Sequence, residues 1–241
     1  MGSEIRALVW VLVLAALALG MGLWLVRPAV AAACPACFGL SRAQDGVYLQ
    51  SGMKPEQQKQ ALAAIAAARQ RIVRFYGEQR FPPRIMVCGD DTCYRHLGGV
   101  PGSGTGTAAY FAMAVSPEAV NTVAITEALS HVEMRGRVGA WKMETGAVPQ
   151  WFEQGLAVVV SEDPLYLGPA KRDNRCLAGS FPDMPGTPEE WQGELQQEGD
   201  VLYAQSACKT WMWVESHGGG AGVAGLLDKL AAGQDFTALT R

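Results

Sequence analysis

Two stretches decide the reading of this chain: residues 119–139, AVNTVAITEALSHVEMRGRVG, and residues 148–163, VPQWFEQGLAVVVSED. In the first, Ile125, Leu129 and Val132 recur at helical spacing, and Asn121 is suited to cap the N-terminus by accepting a backbone N–H. In the second, Pro149 suits a first helical turn, and Trp151, Phe152, Leu156, Val159 and Val160 form an apolar face. Each stretch is therefore predicted to be an amphipathic helix. On the first, Glu127 and His131 stand one turn apart and point the same way.

The pair resembles the gluzincin type of zinc metallopeptidase, in particular the small peptidase-MA-like domains of bacterial envelopes. In that family the first helix carries H-E-x-x-H, and a later helix of the form P-x-W-F-x-E-G-L-A supplies a glutamate. Two histidines and that glutamate hold one zinc with an open position, and the glutamate beside the first histidine polarises the attacking water. Here Glu127-Ala128-Leu129-Ser130-His131 falls on the first motif and Trp151-Phe152-Glu153-Gln154-Gly155-Leu156-Ala157 on the second. The resemblance therefore puts Glu127 and Gln154 at ligand positions, keeps His131 as the surviving ligand, and leaves Ala128 where the general base belongs. Alanine accepts no proton, and a neutral amide is a poor zinc ligand beside a carboxylate. Glu153 lies about 100° around the helix from Gln154 and is expected to point elsewhere.

The resemblance implies an α+β fold, a small mixed sheet packed on helices, and covers residues 108–241. It implies that residues 108–116 form the sheet edge beside the motif helix, where an extended peptide can lie. Residues 202–207, LYAQSA, resemble the opening of the helix after the ligand helix, which makes Tyr203 a candidate cleft residue, with a packed tyrosine equally open. The expected function is a catalytically inactive pseudopeptidase that binds or scaffolds a peptide or envelope protein, with no cofactor expected. The alternative is an active zinc peptidase with a modified ligand set of Glu127, His131 and Glu153, taking a base such as Glu133 or Glu144.

Length and charge bound the rest. At 241 residues the chain holds one domain with a sizeable core, residues 34–241, behind an N-terminal segment, residues 1–33. The net charge is −3 and no basic block occurs, which argues against a nucleic-acid partner. Residues 7–26, ALVWVLVLAALALGMGLWLV, carry no charge and are long enough to cross a bilayer as a helix. A secretory signal has a shorter apolar region, so an uncleaved single-pass inner-membrane anchor is expected; small residues at 29–33 keep signal cleavage and secretion open.

All six cysteines follow the apolar stretch, which fits an oxidising compartment such as the periplasm. Proximity pairs Cys34 with Cys37 and Cys88 with Cys93, and elimination pairs Cys176 with Cys208. The Cys34-Pro35-Ala36-Cys37 run also allows a thiol redox pair, which would need its first thiol at a helix start after a strand. Between the landmarks, PEQQKQALAAIAAARQRIVRFY (Pro55–Tyr76) is a clear helix, Val47, Tyr48 and Leu49 a strand, and residues 84–88 a second strand. The glycine-rich residues 89–106 are expected to form a flexible loop rather than a phosphate cradle. Residues 163–199 are expected to wrap the surface, and residues 200–217 to form a helix with His217 near its end. His96 reads as a lone loop histidine.

Overall fold

The computed structural model describes Arg6, Trp10 and residues 27–102, 105–108, 111–179 and 184–240. Apart from Trp10, the apolar stretch assigned to the membrane lies outside the described residues. Among the described residues, no helix is long and apolar enough to cross a membrane.

The fold is α+β. A short helix α1 (Arg27–Ala33) and a 3-10 turn (Pro35–Phe38) lead into a hairpin of β1 (Leu40–Gln44) and β2 (Val47–Gln50). Helix α2 (Pro55–Tyr76) crosses to β3 (Arg84–Val87), followed by α3 (Asp91–His96), β4 (Thr105–Ala108) and β5 (Ala112–Val115). The helical half comprises α4 (Thr122–Val138), α5 (Ala140–Glu144), α6 (Gln150–Ser161), α7 (Pro188–Ser216), α8 (Gly219–Ala231) and α9 (Phe236–Leu239). The sheet order is β1-β2-β3-β5-β4; β2, β3 and β5 run parallel, and β1 and β4 are antiparallel flanks.

Strand alternation explains how the sheet is covered on both faces. Ile85, Val87, Met113 and Val115 face one core, where Ile65 and Ile72 of α2 meet Leu129 of α4 and Phe152 and Leu156 of α6. Met86, Cys88, Ala112 and Ala114 face a second core with Ala31, Ala32, Tyr94 and Leu97. Helix α2 lays Ala61, Ala64 and Ala68 along its buried side, and these small side chains permit close approach to its neighbours. Gly155 does the same where α6 meets α7: an added Cβ would fall 2.3 Å from the Ser206 carbonyl oxygen.

Several expectations from sequence are corrected. Residues 108–116 are not one strand: β4 and β5 form a hairpin, so β5 lies inside the sheet and β4 is the edge. The stretch 89–106 is not wholly a loop. Asp90 accepts the Cys93 N–H and starts α3, and Thr105 and Gly106 belong to β4. Residues 163–199 do not simply wrap the surface, because Pro188 already opens α7 with a Thr187/Glu190 capping box. Gly199, at φ 22° and ψ −98°, kinks that helix where the sequence suggested a new one beginning. All three expected cysteine pairs are disulfides. Cys34 follows a helix, not a strand, which is not the placement a thiol redox pair requires.

Candidate functional site

Helix α4 starts at Asn121, whose side-chain oxygen accepts the Ala124 N–H at 2.9 Å, as its sequence implies. From that start, Glu127, Ala128 and His131 share one face. They meet Gln154, Ala157 and Val158 of α6 across a cleft of about 340 Å³. Asp163 and Tyr166, just beyond α6, and Tyr203 of α7 close it. The residues brought together thus include Glu127, Ala128, His131, Gln154 and Tyr203. Ala128 is buried and offers only a methyl group to the wall.

The expectation that Glu153 points elsewhere holds for the cleft wall but not for His131. Glu153 Oε1 lies 3.1 Å from His131 Nδ1 and 3.4 Å from Arg135 Nε. Burial works to raise the Glu153 carboxyl, but the hydrogen bond to His131 and the charges of His131 and Arg135 together hold it below the usual range. Arg135 in turn reaches Glu144 at 2.5 Å. Glu153 is therefore committed to a buried polar chain that braces His131, and Glu144 is tied to the outer end of that chain.

Among the described residues, no arginine or lysine is ion-paired with Glu127. Its Oε1 accepts the Ser161 hydroxyl at 3.3 Å. Burial pushes its carboxyl up to about 7, and the neighbouring Asp163 carboxyl pushes in the same direction, against the opposing effects of His131 and Ser161. A carboxyl raised this far can donate a hydrogen bond when protonated and accept one when ionised. Burial also raises the Tyr203 hydroxyl, with Glu127 adding to the effect. Tyr203 serves both roles open to it: it lines the cleft, stacks on Tyr166 at 5.1 Å, and takes the edge of Trp191 at 5.2 Å.

Zinc in a family-type site needs three convergent protein donors. Here the Glu153 contact to His131 Nδ1 is compatible with ligation through the other ring nitrogen, but Glu127 is paired with a hydroxyl and a second carboxyl, and Gln154 is a neutral amide. Among the described residues, no group of three His, Cys, Asp or Glu side chains could hold a metal ion. The residues present do not fit a zinc centre.

Neither proposed substitute base serves the cleft. Glu133 is fully buried, accepting N–H bonds from Arg80 at 3.0 Å, Phe81 at 3.1 Å and Arg137 Nε at 2.7 Å. The remaining histidines lie apart: His96 packs at 5.1 Å from Phe38, and His217 ends α7 stacked on Trp213 at 4.3 Å. Sequence reasoning missed Asp163 and Tyr166. They follow Glu162, which sits in the left-handed region at φ 54° and turns the chain back toward the cleft. No local pattern announces a positive φ at a glutamate. Compared with known proteins, the chain matches no family model, no curated relative and no solved structure.

Proposed function

We propose that this chain is a membrane-anchored, periplasm-facing metallopeptidase-like protein whose cleft binds a peptide or an envelope protein without hydrolysing it. The observation that carries this reading is convergence: Glu127, Ala128, His131 and Gln154, far apart in sequence as two motif halves, line one cleft. At three of these positions the chemistry of the resembled family is replaced. Loss of a general base alone removes roughly 10²–10⁴-fold in rate, before any loss of metal activation. The zinc-peptidase alternative would need the Glu153 carboxylate, which is held by His131 and Arg135.

Binding needs none of the missing groups. The cleft keeps polar atoms on Glu127, Asp163, Gln154 and Tyr203 above an apolar floor of Ala128, Ala157 and Val158. Strand β4 is the sheet edge and packs beside α4, so an extended peptide added there would run alongside the helix bearing Glu127 and His131. The three disulfides support an oxidising compartment, and residues 7–26 supply a stretch long enough for the anchor.

The test is elemental analysis of the oxidised full-length chain in detergent, together with peptide-library hydrolysis with and without chelator. The expected result is zinc far below stoichiometric and no chelator-sensitive cleavage, with library peptides retained on the protein. About one zinc per chain, lost in His131→Ala, combined with chelator-sensitive cleavage, would overturn the proposal.

A further inference from the structure

The cleft between α4 and α6 is one-sided in charge. Among the described residues, its lining holds no arginine or lysine, whereas Glu127 and Asp163 both contribute carboxyls. The two carboxyls meet: Asp163 lies close enough to hydrogen-bond Glu127 and to repel its charge. Asp163 is only 7 % exposed, and its Oδ1 also accepts the Leu165 N–H at 2.9 Å. Among the described residues, neither carboxyl is ion-paired with an arginine or lysine. His131 offsets part of the Glu127 charge, but its Nδ1 is shared with the Glu153 carboxylate.

The walls are as informative as the charge. Tyr166 and Tyr203 stack at 5.1 Å and 24°, and the Tyr166 hydroxyl donates to Asp200 at 3.1 Å. Ala128, Ala157 and Val158 add methyl groups and no polar side-chain atom. Carboxyls, π-faces and methyl groups in one cavity match a cation carried on an aliphatic stem. Carboxylates satisfy the charge, the rings offer it a π-face, and the stem covers the apolar wall. An anion would add to the negative charge of Glu127 and Asp163, and an apolar guest would leave both carboxyls desolvated without a counterion. Helix α7 extends the same sign outward: Glu194, Glu198 and Asp200 lead to Tyr203, and no basic residue occurs between Pro188 and Cys208. Such a field favours the approach of a cationic ligand.

We propose that the cleft takes a lysine or arginine side chain of the bound peptide, its cation set against Glu127 and Asp163 and its methylene stem against Ala128, Ala157 and Val158. The inference rests on the peptide-binding reading of the cleft and adds the class of side chain that fills it.

The experiment uses the full-length chain in neutral detergent and fluorescence anisotropy with dye-labelled alanine pentapeptides blocked at both ends. The central residue is lysine, arginine, norleucine or Nε-acetyl-lysine. A lysine or arginine peptide should bind about ten-fold more tightly than the norleucine and acetyl-lysine peptides, and the tighter of the two names the side chain. Asp163→Asn and Glu127→Gln keep side-chain size and should each lower that preference roughly five-fold, while binding of the norleucine peptide stays unchanged. Asp45→Asn, at an exposed residue paired with Arg42 outside the cleft, should leave the preference intact. Equal affinity for the four peptides, or a preference untouched by both cleft variants, overturns the cation assignment and leaves peptide binding standing. A preference that transfers to a norleucine peptide with a free amino terminus assigns the cleft to a terminal amine and overturns the side-chain assignment. Binding of none of these peptides also overturns it; if the peptide library is not retained either, the peptide-binding reading falls with it.

Discussion

Helix α4 carries two buried or half-buried glutamates that meet opposite fates. Glu133, in its C-terminal half, has three donors on its carboxylate, one of them Arg137 Nε, and Arg137 also lies 5.1 Å over the Tyr76 ring. Glu127, in its N-terminal half, has a hydroxyl, a second carboxyl and a cleft. The first carboxylate closes the fold; the second is left with capacity for something outside it. A charge that the protein satisfies completely is structural, and one that it desolvates without a cation in contact remains available for binding.

The comparison is broken most severely at Glu133. Glu133→Ala strands Arg137, whose side chain is 1 % exposed, and removes the acceptor for the turn at Arg80 and Phe81. A loss of about 3–5 kcal/mol is expected, measured by urea unfolding. If the loss is below 1 kcal/mol, the ion pair is not the fastening described here.

Glu127 should produce a pH effect of the opposite kind. Its folded pKa of about 7 lies above the ordinary carboxyl value of 4.5, so folding favours the protonated form. Its contribution is complete below about pH 4.5 and is lost as pH rises through about 7, amounting to about 3 kcal/mol. Denaturant midpoints taken between pH 5 and 8 should fall more steeply in the native chain than in Glu127→Gln. Parallel profiles would mean that Glu127 is solvated rather than desolvated.

Glu153 tests the boundary between the two regions. Glu153→Gln keeps the shape but removes the charge facing His131 and Arg135, and should cost about 2 kcal/mol. The His131 ring signals should also broaden or shift in NMR spectra as the brace is lost; unchanged ring signals would contradict the bracing role. The smallest expected effect is at the helix start, where Asn121→Ala should cost about 1 kcal/mol through loss of the cap to Ala124. Its thermal unfolding should stay cooperative, which would separate a local cap from the buried network.

Much of this architecture is legible locally because its causes are local. The Asn121 cap, the apolar stripes of α2 and α6, and the short-range disulfides Cys34–Cys37 and Cys88–Cys93 follow from spacing and residue type. The meeting of Glu127, His131 and Gln154 was expected from the motif resemblance rather than from any local pattern. The capping box at Thr187 and Glu190 was readable but was masked by the surrounding prolines and glycines.

The sequence by itself determined the helix faces, the identities of residues 127, 128 and 154, and the apolar stretch, since each depends only on side-chain type and period. Tertiary structure alone decided that β4 rather than β5 forms the edge, because strand order depends on pairing between distant segments. It also decided that Asp163 faces Glu127 and that Glu153 meets His131 Nδ1. The balance of charge in a cleft is set by which groups are packed within a few ångströms of one another, and chain separation does not encode that distance.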